Sequence, residues 1–419
     1  MGKGNEIKIA IPALRFPEFQ DTEGWKEYIL GDFLLEQPRY GINAPAVPFL
    51  EELPTYIRIT DISENGCFLP NPKVSVNHGA INDFYLNIGD LVFARTGASV
   101  GKCYKYKEKD GKLVFAGFLI KVSPDQTRLS SDFLFQFTFT QQYWKWIDLT
   151  STRSGQPGIN SKELASMELY LPVKDEQQKI ADCLSSLDDL IEATAQKVRA
   201  LEKHKKGLMQ QLFPAEGKNV PDLRFPEFQG TSVWEEKKLG KIGNFIGGGT
   251  PNTTNPEYWD GEILWYTPTE IKNGYLKSSN RKITKQGLKN SSAKLLPKGA
   301  ILITTRATIG DVAISKKECT TNQGFQSLVV NDSEINLFWF YWIIQHKEEL
   351  IKKASGSTFK EIGKNEIINI IAYSAKKQEQ QKIADCLSSI DELIEATTRK
   401  IEVLKEHKKG LMQQLFPKI

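Results

Sequence analysis

A chain of 419 residues with 40% hydrophobic and 25% charged residues has an ordinary globular composition and is long enough for two or three cores. Its mean hydropathy is −0.38, and its longest apolar run, residues 337–344, is too short to cross a bilayer, so no membrane association is expected. A net charge of +4 permits nucleic-acid binding but argues for it only where cations are grouped.

In chain order, residues 1–8 are polar and lack the apolar stretch of a signal peptide, so a cytoplasmic, reduced protein is expected. Leu-Arg-Phe-Pro-Glu-Phe occupies 14–19, followed by Trp25 and Leu30-Gly31. The spacing then predicts a strand over 56–60, an Asn65-Gly66 turn and a second apolar strand, 89–95, running into the polar turn 96–101. Gly117-Phe118, an aromatic-rich helix and a Ser154-Gly155 loop complete a region of mixed α/β character. A long helical pattern over 176–214 ends at Pro214, and a polar linker follows at 215–219. The order then repeats. Leu-Arg-Phe-Pro-Glu-Phe recurs at 223–228, with Trp234 and Leu239-Gly240. Strands are expected at 263–267 and 299–306, and then come Gly324-Phe325, an aromatic helix, Ser355-Gly356 and a second long helix over 379–417.

The two helical segments differ at only nine of 39 positions, whereas the regions between them share an outline and little else. Ile180, Leu184, Leu187, Ile191, Thr194, Val198, Leu201, Lys205, Leu208 and Leu212 follow alternating steps of four and three, the seam of a coiled coil. Thr194 and Lys205, with Thr397 and Lys408 in the second copy, weaken the seam but help fix its register. A helix of this length spans about 54 Å and needs a partner. Antiparallel pairing of the two copies is the expected answer, with another subunit's helices as the open alternative.

Several motifs invite a catalytic reading. Residues 245–249 (FIGGG) fit the F-x-G-x-G pattern that cradles S-adenosylmethionine, and Asn-Pro-Glu-Tyr at 255–258 is one residue from a methyltransferase tetrad. The two lie too close together for a doubly wound sheet to separate them, and the first half lacks both. Residues 97–102 fall one short of a phosphate loop, with Cys103 where Ser or Thr would hold magnesium, and read as a tight turn with a basic tip. Five cysteines without a CxxC pair and four histidines without ligand spacing give no zinc site, disulfide framework or catalytic constellation. One cation group stands out: 281–298 holds six basic residues and no acid, a run whose ordinary reading is a solvated surface.

The double copy of the EQQKIADCLSSLDDLIE-type helix, its KHKKGLMQQLFP ending and the dissimilar regions between the copies together resemble the specificity subunit of type I restriction-modification systems. The likeness spans essentially the whole chain. It implies an α+β protein with two globular target recognition domains, separated by two long helices in an antiparallel coiled coil, arranged as a pseudo-twofold internal repeat. The corresponding divisions are 1–173 (N-terminal segment and first domain), 174–214 (central helix), 215–376 (linker and second domain) and 377–419 (C-terminal helix). The family implies a non-catalytic reader in which each domain takes one half of a split site on double-stranded DNA and the coil sets the spacer. It further implies two modification subunits carrying S-adenosylmethionine, and restriction subunits. On this chain no catalytic residue, cofactor or metal is expected.

Groove reading needs polar and basic side chains on loops. In the first domain these are Arg39, Tyr40, Arg95, Lys102, Arg153, Ser154, Gln156 and Asn160. In the second they are Thr250, Asn252, Arg306, Lys353, Ser355, Ser357, Thr358 and Lys360. Asn160 and Thr358, each three residues before a Glu, also fit helix caps. Open alternatives are a self-sufficient S-adenosylmethionine-dependent DNA methyltransferase, a coiled-coil scaffold that binds no DNA, and an orphan specificity subunit without restriction partners.

Overall fold

The structure, a computed structural model, describes residues 8–79, 81–152, 156–306, 308–355 and 360–418. Two compact units emerge, one of Met1–Ala195 with Arg399–Ile419 and one of Gln196–Thr398. Each long helix, Lys174–Leu212 and Lys377–Leu415, contributes one part to each unit.

In the first unit an antiparallel sheet orders Arg39–Tyr40, Leu119–Val122, Leu91–Ala94 and Cys103–Lys105. Leu91–Ala94 is apolar and buried at every position because both of its faces are covered. Leu91 and Phe93 join one core, Val92 and Ala94 another, as the two-residue strand period requires. A second sheet orders Val47–Pro48, Val74–Ser75, Thr55–Ile57 and Leu113–Phe115, the last two parallel. The strand expected over 56–60 ends early: Asp61 accepts from the Arg58 amide (2.9 Å) and turns Ile59–Asp61 into a short 3-10 segment. A third, small sheet joins Ile9–Ala10, Trp25–Ile29 and Glu168–Leu171.

The second unit repeats this plan. Gly243–Gly247, Gln326–Val330, Ile301–Ile303, Val312–Ser315 and Gly274–Leu276 form a five-stranded sheet, in which Ile301 and Ile303 face one core and Leu302 the other. Arg281–Ile283, Trp259–Tyr266 and Cys319–Thr321 form the second sheet, again with one parallel pair. Glu235–Lys238 pairs with Ile371–Ser374.

The copied sequence makes the same locks in each unit. Buried Arg15 donates to Glu176, in the first turn of the first long helix, at 2.9 and 2.5 Å, and Arg224 donates to Glu379 at 2.8 and 2.6 Å. The glutamine that follows sutures the adjacent domain: Gln177 accepts from the Ser130 amide (3.0 Å) and Gln380 from the Ile335 amide (2.9 Å). Trp25 packs edge-on against Phe416 (5.8 Å), and Trp234 against Phe213 (6.5 Å). The start of one helix therefore packs against the end of the other. Ile180 and Leu184 share a core with Met412 and Leu415, and Ile383 and Leu387 share one with Met209 and Leu212. This is the antiparallel arrangement.

The seam polar residues find partners. Lys408 donates to Asp188 of the facing helix (2.7 Å), which also accepts from Gln136 of the domain (2.9 Å). Lys205 donates to Asp391 (2.6 Å), which accepts from the Tyr341 hydroxyl (2.6 Å). Burial, reinforced by Asp391, pushes the Tyr341 phenol well above its ordinary value. Thr194 and Thr397 are buried and donate back to Leu190 and Leu393 carbonyls at 2.6 Å. Among the described residues no helix is long and apolar enough to cross a membrane.

Candidate nucleic-acid interface

In the first unit Ile120 of the intervening strand pairs with Tyr40 on one side and with Phe93 on the other, close to where the chain leaves Ala94. The Arg95 guanidinium lies 4.5 Å from the Tyr40 ring centroid, close enough for a cation–π contact. Burial tends to raise the Tyr40 phenol, but the Ser161 hydrogen bond and the Arg95 charge outweigh it, and the phenol sits below its ordinary value. The loop is clamped from the other side, where Ile159 N donates to Arg95 O (2.9 Å) and Gly97 N to Pro157 O (3.0 Å). Gly97 has φ +69, the left-handed region that favours glycine, and Gln156 Nε2 lies 2.8 Å from where its Cβ would be. Tyr40, Arg95 and Gln156 thus converge. The Arg95 Nε is buried and has no hydrogen-bond partner among the described residues.

The other first-domain candidates are committed elsewhere. Arg39 donates to the Asp83 carbonyl (2.7 Å) and lies 3.6 Å from Glu36. The Lys102 ammonium is half-buried against Glu64 (2.6 Å), so the turn at 97–102 has no free basic tip. Asn160 is a helix cap: its side chain accepts from Glu163 N (2.9 Å), and Glu163 accepts from Asn160 N (2.8 Å). Arg153 and Ser154 lie outside the described residues, as do Ser357 and Thr358.

In the second unit Arg306 meets Glu361 at 2.8 Å, and Ser355 exchanges two backbone bonds with Glu361, both 2.9 Å. Lys360, next in sequence, is exposed. Thr305 N donates to Gly324 O (2.8 Å), and the neighbouring Gln323 accepts from the Thr250 hydroxyl (2.7 Å), so Thr250, Arg306 and Ser355 lie along one connected edge. Asn252 is spent on its own turn, accepting from Thr254 N (3.0 Å) and Oγ1 (2.9 Å). Lys353 is exposed at the end of the helix Lys347–Lys353.

The two arginines are not equivalent. The Arg95 carbonyl accepts from Ile159, and it is the Thr305 carbonyl that accepts from Ile362. Arg95 therefore corresponds to Thr305 and Thr96 to Arg306, and the cations are offset by one residue. An offset of one sends a side chain to the opposite side of an extended chain. The domains hold the same backbone and present different faces.

The type I restriction modification DNA specificity domain matches this chain twice, over residues 49–203 and 231–406. The chain belongs to that family. Among its relatives, the type I restriction enzyme MjaIX specificity subunit of Methanocaldococcus jannaschii is 37% identical over 201 residues, covering 45% of this chain and 46% of that protein. This chain therefore spans about half the length of that relative. The MjaVIII specificity subunit of the same organism is 24% identical over 413 residues, 94% of this chain and 92% of the relative. The crystal structure of a type I restriction-modification S subunit from M. genitalium shares the fold, with a TM-score of 0.61 at 16% identity over 98% of this chain and all of that one (100%).

The glycine motif of the second domain has a packing explanation. A Cβ on Gly248 would lie 2.0 Å from the Asn322 carbonyl, and one on Gly249 would lie 2.2 Å from Ser292 Oγ. Asn255 caps the short turn Pro256–Tyr258, accepting from Glu257 N (3.0 Å). Among the described residues no His, Cys, Asp and Glu group is placed to hold a metal. Sequence reasoning missed Gln323, and it missed the partners of two residues it had noted: Glu361 with Arg306, and Arg281, whose guanidinium lies 3.5 Å over Trp259. Trp259 and Trp265, six residues apart in one strand, were the available signal for that stack.

Proposed function

We propose that this chain is the DNA-reading, non-catalytic specificity subunit of a type I restriction-modification assembly, with each domain reading one half of a bipartite site. The observation that carries this is the offset of Arg95 against Arg306 on a shared backbone. One scaffold used twice with different cation placement suits two different half-sites. The two long helices, each of which runs through both units, are the candidate spacer. The copied segments that remain exposed would dock two modification subunits, which carry S-adenosylmethionine and methylate DNA, and the complex would recruit restriction subunits. The packing role of Gly248 and Gly249 favours this over a self-sufficient methyltransferase.

The test is to lengthen both long helices by one turn, about 5.4 Å, and select bound duplexes from a random pool using the chain with its modification subunits. The expected outcome is two unchanged half-sites with an altered spacer. An unchanged spacer contradicts the ruler, and binding without sequence preference contradicts the reading as a whole.

A further inference from the structure

We propose that residues 281–298 form a phosphate-gripping surface, so that the two domains divide DNA binding unequally and the second supplies most of the salt-dependent affinity. This rests on the DNA-reading function above and adds which part of the molecule holds the backbone.

The segment carries Arg281, Lys282, Lys285, Lys289, Lys294 and Lys298, with no Asp or Glu between them. All six are exposed, and among the described residues none of the five lysines has an ion-pair partner. The fold holds them outward. Thr284 caps the short helix Lys285–Lys289, accepting from Gly287 N (3.0 Å), and a Cβ on Gly287 would meet the Tyr258 carbonyl at 2.4 Å, so the helix backbone sits tightly on the turn Pro256–Tyr258. The exposed Arg281 guanidinium lies 3.5 Å over the Trp259 ring and 5.7 Å from that of Trp265, which fixes the place of its charge.

The equivalent segment of the first unit carries no such patch among its described residues. Residues 281–298 run up to Gly299, and the segment in the same place before Gly89 is 71–88. Its strand, Val74–Ser75, pairs antiparallel with Thr55–Ile57 as Arg281–Ile283 pairs with Trp259–Tyr266. That segment holds one Lys and one Asp, and Lys73 lies over the Phe49 ring at 4.1 Å. The same element is neutral in one domain and carries six cations in the other. Exposed lysines without acids repel one another and gain most from a polyanion, and duplex DNA presents one charge per roughly 1.7 Å of its axis. Lysines act as point charges that suit phosphates more than base edges.

The experiment measures binding of the full chain to a fluorescent random-sequence DNA duplex across a salt series. Two variants remove separate parts of the patch: K282Q/K285Q/K289Q and K294Q/K298Q. The control in the first domain is K73Q. Each phosphate left without its lysine should flatten the log–log salt slope by about 0.9, so the triple variant should flatten it by up to about 2.7 while K73Q keeps the parent slope. Slopes equal to the parent in both patch variants, or equal flattening by K73Q, would overturn the inference and leave the functional reading standing. If the parent chain shows no salt-dependent duplex binding, even with modification subunits present, both fall.

Discussion

Arg15 and Arg224 make the same bonds in the two units, whereas Arg95 and Arg306 do not. The first pair holds the start of a long helix to the segment that precedes each domain. The second pair lies on the domain faces, one stacked on a tyrosine and the other bound to a glutamate. The difference teaches that much of the copied sequence is explained inside each unit, by an ion pair, a glutamine suture and a tryptophan under the end of the opposite helix. Copying alone is therefore a weaker argument for partner docking than it first looks, since only its exposed positions remain free for that task. Divergence on the faces is the stronger functional signal.

The largest expected effect tests the shared frame. Trp25→Ala and Trp234→Ala each remove a buried ring and should cost about 3–5 kcal/mol in urea unfolding of the full chain. A loss in one unit only would break the equivalence. Glu176→Gln removes the charge that pairs with buried Arg15, at an expected cost of up to about 3–5 kcal/mol, and Glu379→Gln does the same to half-buried Arg224 at a smaller cost.

The domain faces should separate where the frame does not. Arg95→Ala and Arg306→Ala should each reduce specific DNA binding by about 1–3 kcal/mol and relax preference at one half-site, a different one for each variant. Binding-site selection reads this directly, and relaxation at the same half-site by both variants would contradict the division of labour.

Smaller effects sharpen the comparison. Lys408→Met in the first unit and Lys205→Met in the second should each cost no more than about 1 kcal/mol. The Asp188 side chain is 42% exposed and that of Asp391 34%, which screens both pairs. The smallest effect is a dependence on pH in the second unit. His346 is packed against Trp342 and Phe213, and burial lowers its pKa from 6.5. The unfolded chain therefore takes up this proton first, so the stability from neutral His346 is present above the ordinary histidine range and is lost as pH falls from there towards the lowered value. Urea midpoints at about pH 7.5 and about 5.5 should show a loss that His346→Gln reduces.

The frame was legible in the sequence because its signals are periodic or repeated: every seam position from Ile180 to Leu212 is buried or half-buried. Asn160 was legible as a cap from the Glu three residues on. The convergence of Tyr40, Arg95 and Gln156 was not, because it depends on sheet order, which places Arg39–Tyr40 beside a strand some 80 residues later. Lys102 looked like a free tip because its partner, Glu64, is remote in sequence. The offset between Arg95 and Arg306 was present in the aligned strands, but its meaning rests on which carbonyl meets Ile159 or Ile362, a pairing that no local pattern reveals.

The central claim is that two like scaffolds read two unlike half-sites. Its most direct test is to map the methylated positions on DNA exposed to the chain assembled with its modification subunits. Two short specified blocks separated by a fixed unspecified run are expected, with Arg95→Ala loosening one block and leaving the other intact. A single continuous block, or loosening of both blocks together, would contradict it.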